Sequence, residues 1–176
     1  MRNLVRSMIE PQVNKKVSGN RNFRTGLFMA FISIVMLSCD PNRVFEENVH
    51  IKGSAWNLND PVIVETEIFD TVSPLMVYFN IRHNNDYRYS NLYLFVDTYF
   101  PNDTHRRDTI ECMLADPSGK WYGKGLGDIR EIRILVMNRV VFPMAGMYRF
   151  QLQQAMRVDD LEGIEDVGIR IEKMQE

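Results

Sequence analysis

The sequence predicts an all-β domain, an antiparallel two-sheet β-sandwich of about eight strands. Three observations carry this. Apolar residues recur at every second position through most of residues 62–171, the period of a strand with one buried face. Clusters of Gly, Pro, Asn and Asp separate these runs at short intervals, the spacing of sandwiches and barrels. Gly146 is followed by Tyr148 and Phe150, the pattern of a tyrosine corner, in which a Tyr enters a strand two residues before a buried position. The topology is immunoglobulin-like or jelly-roll-like, with a small barrel as the alternative.

The elements follow in order. Residues 44–51 mix apolar and charged side chains and make a first strand. Gly53, Ser54 and Asn57 mark turns around Trp56. Val62, Val64, Thr66 and Ile68 alternate with Ile63, Glu65 and Glu67. Leu75, Val77, Phe79 and Ile81 alternate with Met76, Tyr78, Asn80 and Arg82. Asp70-Thr71-Val72-Ser73-Pro74 turns the chain between them, and His83-Asn84-Asn85-Asp86 ends the second run. Residues 92–99 are apolar on both phases and predict a central strand. After a turn at Pro101-Asn102-Asp103-Thr104, Ile110, Cys112 and Leu114 mark the next inward face. Asp116-Pro117-Ser118-Gly119 has Pro second and Gly fourth, as a type I turn prefers. A glycine-rich connection over residues 123–127 precedes a strand at Ile132, Ile134 and Val136. Tyr148, Phe150 and Leu152 face inward, and Val167, Ile169 and Ile171 close the fold.

Ahead of this domain stands a leader. Residues 27–37 run without a charge, Arg21 and Arg24 precede them, and Ser38-Cys39 closes the run. A basic flank, a short apolar core and a small residue before the cut site make a secretory signal peptide. At about 1.5 Å per residue the core would reach only about 17 Å, against roughly 30 Å of bilayer hydrocarbon. Met36-Leu37-Ser38-Cys39 resembles a bacterial lipoprotein lipobox, with Met36 where the pattern prefers Leu. That resemblance implies cleavage before Cys39 and acylation of its sulfur and new N-terminus. Acyl chains anchor at about 0.8 kcal/mol per buried methylene, and more than one makes the anchor stable. The alternative is an ordinary signal peptide that contains a Cys. Residues 1–38 are then leader, and residues 39–176 are one lipid-anchored sandwich domain.

Charge narrows the partners. The leader carries six basic residues against Glu10, which leaves 15 basic and 22 acidic residues after the cut, a formal charge of −7. An acidic, evenly charged surface excludes nucleic acid. It gains nothing from anionic lipid, so membrane contact comes through the acylated Cys39. With Cys39 acylated, Cys112 has no partner for a disulfide.

Bond-making chemistry is absent from the sequence. His50, His83 and His105 lie in separate segments without metal-ligand spacing, so no metal and no cofactor is expected. No serine sits in a nucleophile elbow. Asp159-Asp160 reads as solvated loop charge, and residues 123–127 lack phosphate-loop spacing. The protein is read as no enzyme, with no small-molecule substrate. Cys112 is on an inward phase and reads as a small buried hydrophobe. Tyr87, Tyr89, Trp121 and Tyr122 sit near turns. They form an interaction surface for protein or sugar, or they cap the core.

Several stretches together resemble one family. They are Tyr87-Arg88-Tyr89-Ser90-Asn91-Leu92-Tyr93-Leu94-Phe95, Asp108-Thr109-Ile110-Glu111-Cys112-Met113-Leu114-Ala115-Asp116, Gly119-Lys120-Trp121, Gly123-Lys124-Gly125, Gln154-Ala155-Met156-Arg157 and Asp166-Val167-Gly168-Ile169-Arg170-Ile171-Glu172. With the lipobox, the chain resembles the gliding-motility lipoproteins of the GldH family of Bacteroidota. The resemblance implies an envelope lipoprotein that serves gliding beside a type IX secretion apparatus, with other envelope proteins as partners. It implies no catalytic residues. The alternative is a glycan-binding envelope lipoprotein. Asp40 is followed by Pro41, Asn42 and Arg43 rather than an acidic run, which favours the periplasmic face of the outer membrane. Asp70-Thr71-Val72 and Asp108-Thr109-Ile110 also resemble the Asp-Ser/Thr-apolar motif of Bacteroidota O-glycosylation, which marks Thr71 and Thr109 as acceptors.

Overall fold

A computed structural model describes residues 40–174; the expected leader, Cys39 and the expected cleavage site lie outside them. Ten strands follow one another: β1 (Arg43–His50), β2 (Ala55–Asn57), β3 (Val62–Ile68), β4 (Leu75–His83), β5 (Asn91–Tyr99), β6 (His105–Met113), β7 (Arg130–Val140), β8 (Gly146–Gln154), β9 (Asp160–Glu162) and β10 (Ile164–Lys173). The only helical turn among the described residues is a 3-10 turn at Lys52–Ser54.

The long strands divide into two antiparallel sheets, ordered β1-β10-β4-β7 and β3-β8-β5-β6. The pairing is nested. β1 pairs with β10, β3 with β8, β4 with β7 and β5 with β6. Successive pairs alternate between the sheets, which is the wrapping of a jelly roll. Of the sandwich topologies the sequence allows, this is the one formed. β4 and β5 each have a neighbour on both sides, which accounts for their apolar runs.

Period two converts directly into burial. Along β3, Val62, Val64, Thr66 and Ile68 are buried and the residues between are exposed. Leu75, Val77, Phe79 and Ile81 of β4 meet Leu92, Leu94 and Val96 of β5, Tyr148, Phe150 and Leu152 of β8, and Val167, Ile169 and Ile171 of β10 in one core. The tyrosine corner is present. The Tyr148 hydroxyl donates to the Met144 carbonyl at 2.9 Å, so a fully buried phenol keeps its hydrogen bond. The Asp116 turn forms as its residues dictate: the Asp116 carboxylate accepts the backbone N–H of Ser118 at 2.8 Å and of Lys120 at 3.0 Å.

Three features depart from the sequence reading. The ribbon β2–β9 pairs Trp56 with Leu161; three-residue strands are too short to show alternation. Asp160, read as loop, belongs to this ribbon. Lys124, read as connection, bridges to Glu131 at the start of β7. Finally, Asn80 and Arg170 are on the outward phase yet buried. Arg170 donates to Glu46 at 2.6 Å and to Glu172, and Asn80 donates to Glu46 at 2.8 Å. A charge on a sheet's outer face is buried here by its own partners.

The sandwich has two distinct ends. Chain entry at Arg43, exit at Lys173 and the loops 69–74, 100–104 and 141–145 share one, the entry end. The other, the far end, holds the close of β4, the ribbon and the segments 84–90 and 114–129.

Candidate functional site at the far end

The site grows from the last residue of β4. His83 is fully buried, and its ring lies 4.4 Å from Trp121 and 5.6 Å from Tyr87. Tyr89 stands edge-on to Tyr87 at 5.7 Å. Three of the four singled-out rings are therefore brought together, around a histidine whose part the sequence did not show. His83 Nδ1 lies 3.1 Å from the Asn84 carbonyl, and Nε2 has no hydrogen-bond partner among the described residues. Burial, with the Arg130 charge adding to it, holds the imidazole below its ordinary pKa and so neutral at neutral pH.

Tyr87 cannot meet a partner, because it is only 2% exposed and its hydroxyl donates to the Asn91 carbonyl at 2.6 Å. Trp121 is half-buried. These two cap the core, the packing role the sequence left open. Tyr89 and Tyr122 remain exposed, and Tyr122 has no ring neighbour among the described residues.

Local chemistry fixes the frame. The Asn84 side chain accepts the Asp86 N–H at 2.8 Å and donates to Glu165 at 2.6 Å, an Asx turn tied to β10. Gly163, with φ of +83°, accepts the Asn84 N–H at 2.8 Å through its carbonyl. A Cβ at that position would lie 2.2 Å from the Tyr87 nitrogen. Only glycine allows this approach of the ribbon to the Tyr87 segment.

Outside this cap lies a groove of about 470 Å³ walled by Tyr89, Asn91, Tyr93, Ala155, Met156 and Arg157. Tyr93 comes from β5, where it pairs with Glu111 of β6. The Glu111 carboxylate accepts the Tyr93 hydroxyl and raises that phenol's pKa; it also accepts the Asn91 side-chain amide at 2.6 Å. Buried Gln154 holds the opposite wall by donating to the Val158 carbonyl at 2.8 Å and accepting the Met156 N–H at 2.9 Å. Residues 87–95 and 154–157 are far apart in the chain, and they meet here. Tyr93, Met156 and Arg157 were not singled out from the sequence as site residues. They became neighbours only through the β5–β8 pairing, in which Leu94 opposes Gln154.

The groove offers two half-exposed phenols, a carboxamide, a thioether and a guanidinium. That is contact chemistry, and no nucleophile is set beside a base. Cys112 is fully buried, and burial pushes its thiol up to about 12, which leaves it unreactive. No group of three His, Cys, Asp or Glu side chains that could hold a metal ion occurs among the described residues.

The two proposed acceptor threonines lie elsewhere. Thr71 is partly exposed in the β3–β4 loop, where the Asp70 carboxylate accepts the N–H of Val72 at 2.9 Å and of Ser73 at 2.8 Å. The Ser73 hydroxyl, together with these two backbone bonds, holds Asp70 at a pKa of about 2. Thr109 is exposed within β6, opposite Phe95. It lies well inside the strand, four residues after β6 begins at His105.

The pattern of the GldH lipoprotein family matches residues 43–171. The chain belongs to this family. It is 39% identical over 150 residues to the gliding motility lipoprotein GldH homolog of Christiangramia forsetii, covering 81% of this chain and 91% of that one. It is 36% identical over 148 residues to the gliding motility lipoprotein GldH of Flavobacterium johnsoniae, covering 80% and 91%. Among solved structures, the infectious bursal disease virus VP2 subviral particle aligns with 77% of this chain at 10% identity and a TM-score of 0.30, a likeness too slight to bear on fold or function.

Proposed function

We propose that this protein is a lipid-anchored envelope lipoprotein that acts without catalysis as an assembly or accessory factor of the gliding-motility machinery, beside a type IX secretion apparatus. Its anchor is Cys39, and it faces the periplasm from the outer membrane. The relatives' names support the motility role. The observation that carries the docking role is the far-end groove, which presents Tyr89, Tyr93, Met156 and Arg157 on a rigid frame and contains no bond-making group. Aromatic rings and Arg are the side chains on which protein contacts concentrate their binding energy.

One observation favours a second reading, a glycan-binding lipoprotein: the two exposed tyrosines line a groove rather than a flat patch. A photo-crosslinking residue at position 89 or 93, in cells of the native host, separates the two. Discrete adducts to one envelope protein, missing when the residue replaces Glu47, support docking. Protein-free positions 89 and 93, with purified protein retained on envelope glycan, would replace docking by the second reading. Cys39→Ala tests the anchor, and unchanged membrane fractionation and mobility of that variant would remove it.

A further inference from the structure

The entry end carries several exposed apolar side chains that no packing among the described residues explains. Phe69 is 77% exposed and Val72 82% exposed. Val141 and Met147, at the same end, are about half exposed. Leu126 is more exposed still, but it stands on the segment that leads into β7 at the far end. An isolated apolar residue needs no explanation; several at one end do.

The loop holding Phe69 and Val72 is braced. Asp70 accepts two backbone N–H groups of the loop, and Pro74 follows. The two apolar side chains are therefore held out rather than folded back. The same loop lies beside the chain's entry. Lys173 donates its N–H to the Asn42 carbonyl at 2.8 Å. Lys173 also pairs with Leu75 at the loop's far foot, and its charge reaches Asp70. Cys39 is three residues before Asn42. At about 3.3–3.6 Å per extended residue, its sulfur cannot lie more than a short tether from this loop.

We infer that the entry end rests on the bilayer, with Phe69 and Val72 seated in the lipid interface beside the acylated Cys39. The inference rests on that acylation and adds an orientation to it. A tether alone would leave the domain free to tumble. An apolar loop next to the attachment point gives a second membrane contact, and two weak contacts on one rigid body hold it far better than one. The domain's net acidity plays no part, so uncharged lipid suffices. Strands β4 and β5 then stand away from the membrane. Nine residues at about 3.3 Å each lift the Tyr89–Tyr93 groove about 30 Å from the lipid, facing partners in the periplasm. Thr71 lies between Phe69 and Val72 and is closed to glycosylation, while Thr109 stays open to it.

The test uses the purified full lipoprotein in vesicles of phosphatidylcholine, with and without brominated acyl chains. Phe69→Trp places a reporter in the loop, and Leu126→Trp places an even more exposed one at the far end. The expected result is blue-shifted emission and strong bromine quenching for position 69, beyond the signal of native Trp56 and Trp121, with none added at 126. Equal quenching at both positions, or none at 69 in protein that floats with the vesicles, overturns the orientation and leaves the anchor standing. Protein that does not float overturns the anchor and the orientation with it. In protein that floats, Phe69→Asp with Val72→Asp should abolish quenching at a third reporter, Met147→Trp. Unchanged quenching there would assign the contact to something other than this loop.

Discussion

Gly163→Ala tests the physical account of the far-end frame. Gly163 holds φ at +83°, where an L-residue costs about 1–2 kcal/mol. The added Cβ would lie 2.2 Å from the Tyr87 nitrogen, 2.7 Å from Tyr87 Cα and 2.8 Å from the Asp86 carbonyl carbon. Ordinary contact is about 3.5–4.0 Å, so backbone must move by roughly 1 Å, and overpacking of this kind costs about 1–3 kcal/mol. The movement also strains the bonds from Gly163 to Ser54 and from Asn84 to Gly163, 2.7 and 2.8 Å long. The expected loss is about 2–5 kcal/mol, a large part of the roughly 5–15 kcal/mol that holds a domain. Gly119→Ala is the matched control. Its φ is +84°, but nothing lies within 4 Å of an added Cβ, so only the conformational cost of about 1–2 kcal/mol applies. Urea unfolding followed by Trp fluorescence measures both, the midpoint shifting at constant slope. If the two variants lose the same stability, Gly163 is not the close approach that seats Tyr87 and Tyr89.

Phe150→Ala should cost about 3–5 kcal/mol as a large-to-small core change; a loss below about 1 kcal/mol in urea melts would mean the side chain is not in the core described. Stability should fall as pH drops through 6.5, the ordinary value for His83. The unfolded chain takes up a proton there that the buried, pKa-depressed imidazole resists, whereas depressed carboxylates such as Asp97 and Asp70 act only at lower pH. His83→Gln should be flat across this upper window, and an unchanged slope would assign the acid sensitivity elsewhere. Intact mass of protein from its own host should show glycan that Thr109→Ala removes and Thr71→Ala leaves in place; a mass explained by acylation alone removes the glycan, and one on Thr71 removes the membrane contact of its loop as well.

Strand phase was legible in the sequence because it is local. Val62 to Ile68 and Leu75 to Ile81 alternate whatever stands across from them, and one burial face follows. Turn chemistry was legible for the same reason at Asp116 and at Tyr148, where every partner lies within four residues. The family, too, is carried by short stretches of side chains. Sheet membership was not legible. Whether β1 meets β10 or another edge depends on pairings more than a hundred residues apart, and both sandwich topologies share the same strands. Nor could the sequence separate Tyr87 from Tyr89. They share one phase and one composition, yet the first is sealed under Gly163 and Trp121 and the second opens onto the groove. Arg170 and Asn80 kept their outward phase and still became buried, because Glu46 and Glu172 close over them. The groove itself exists only where β5 and β8 lie side by side and bring Tyr93 to Met156, through an N–H to sulfur contact of 3.4 Å. Local spacing sets which way a side chain points; what it meets there is set by the strand across from it.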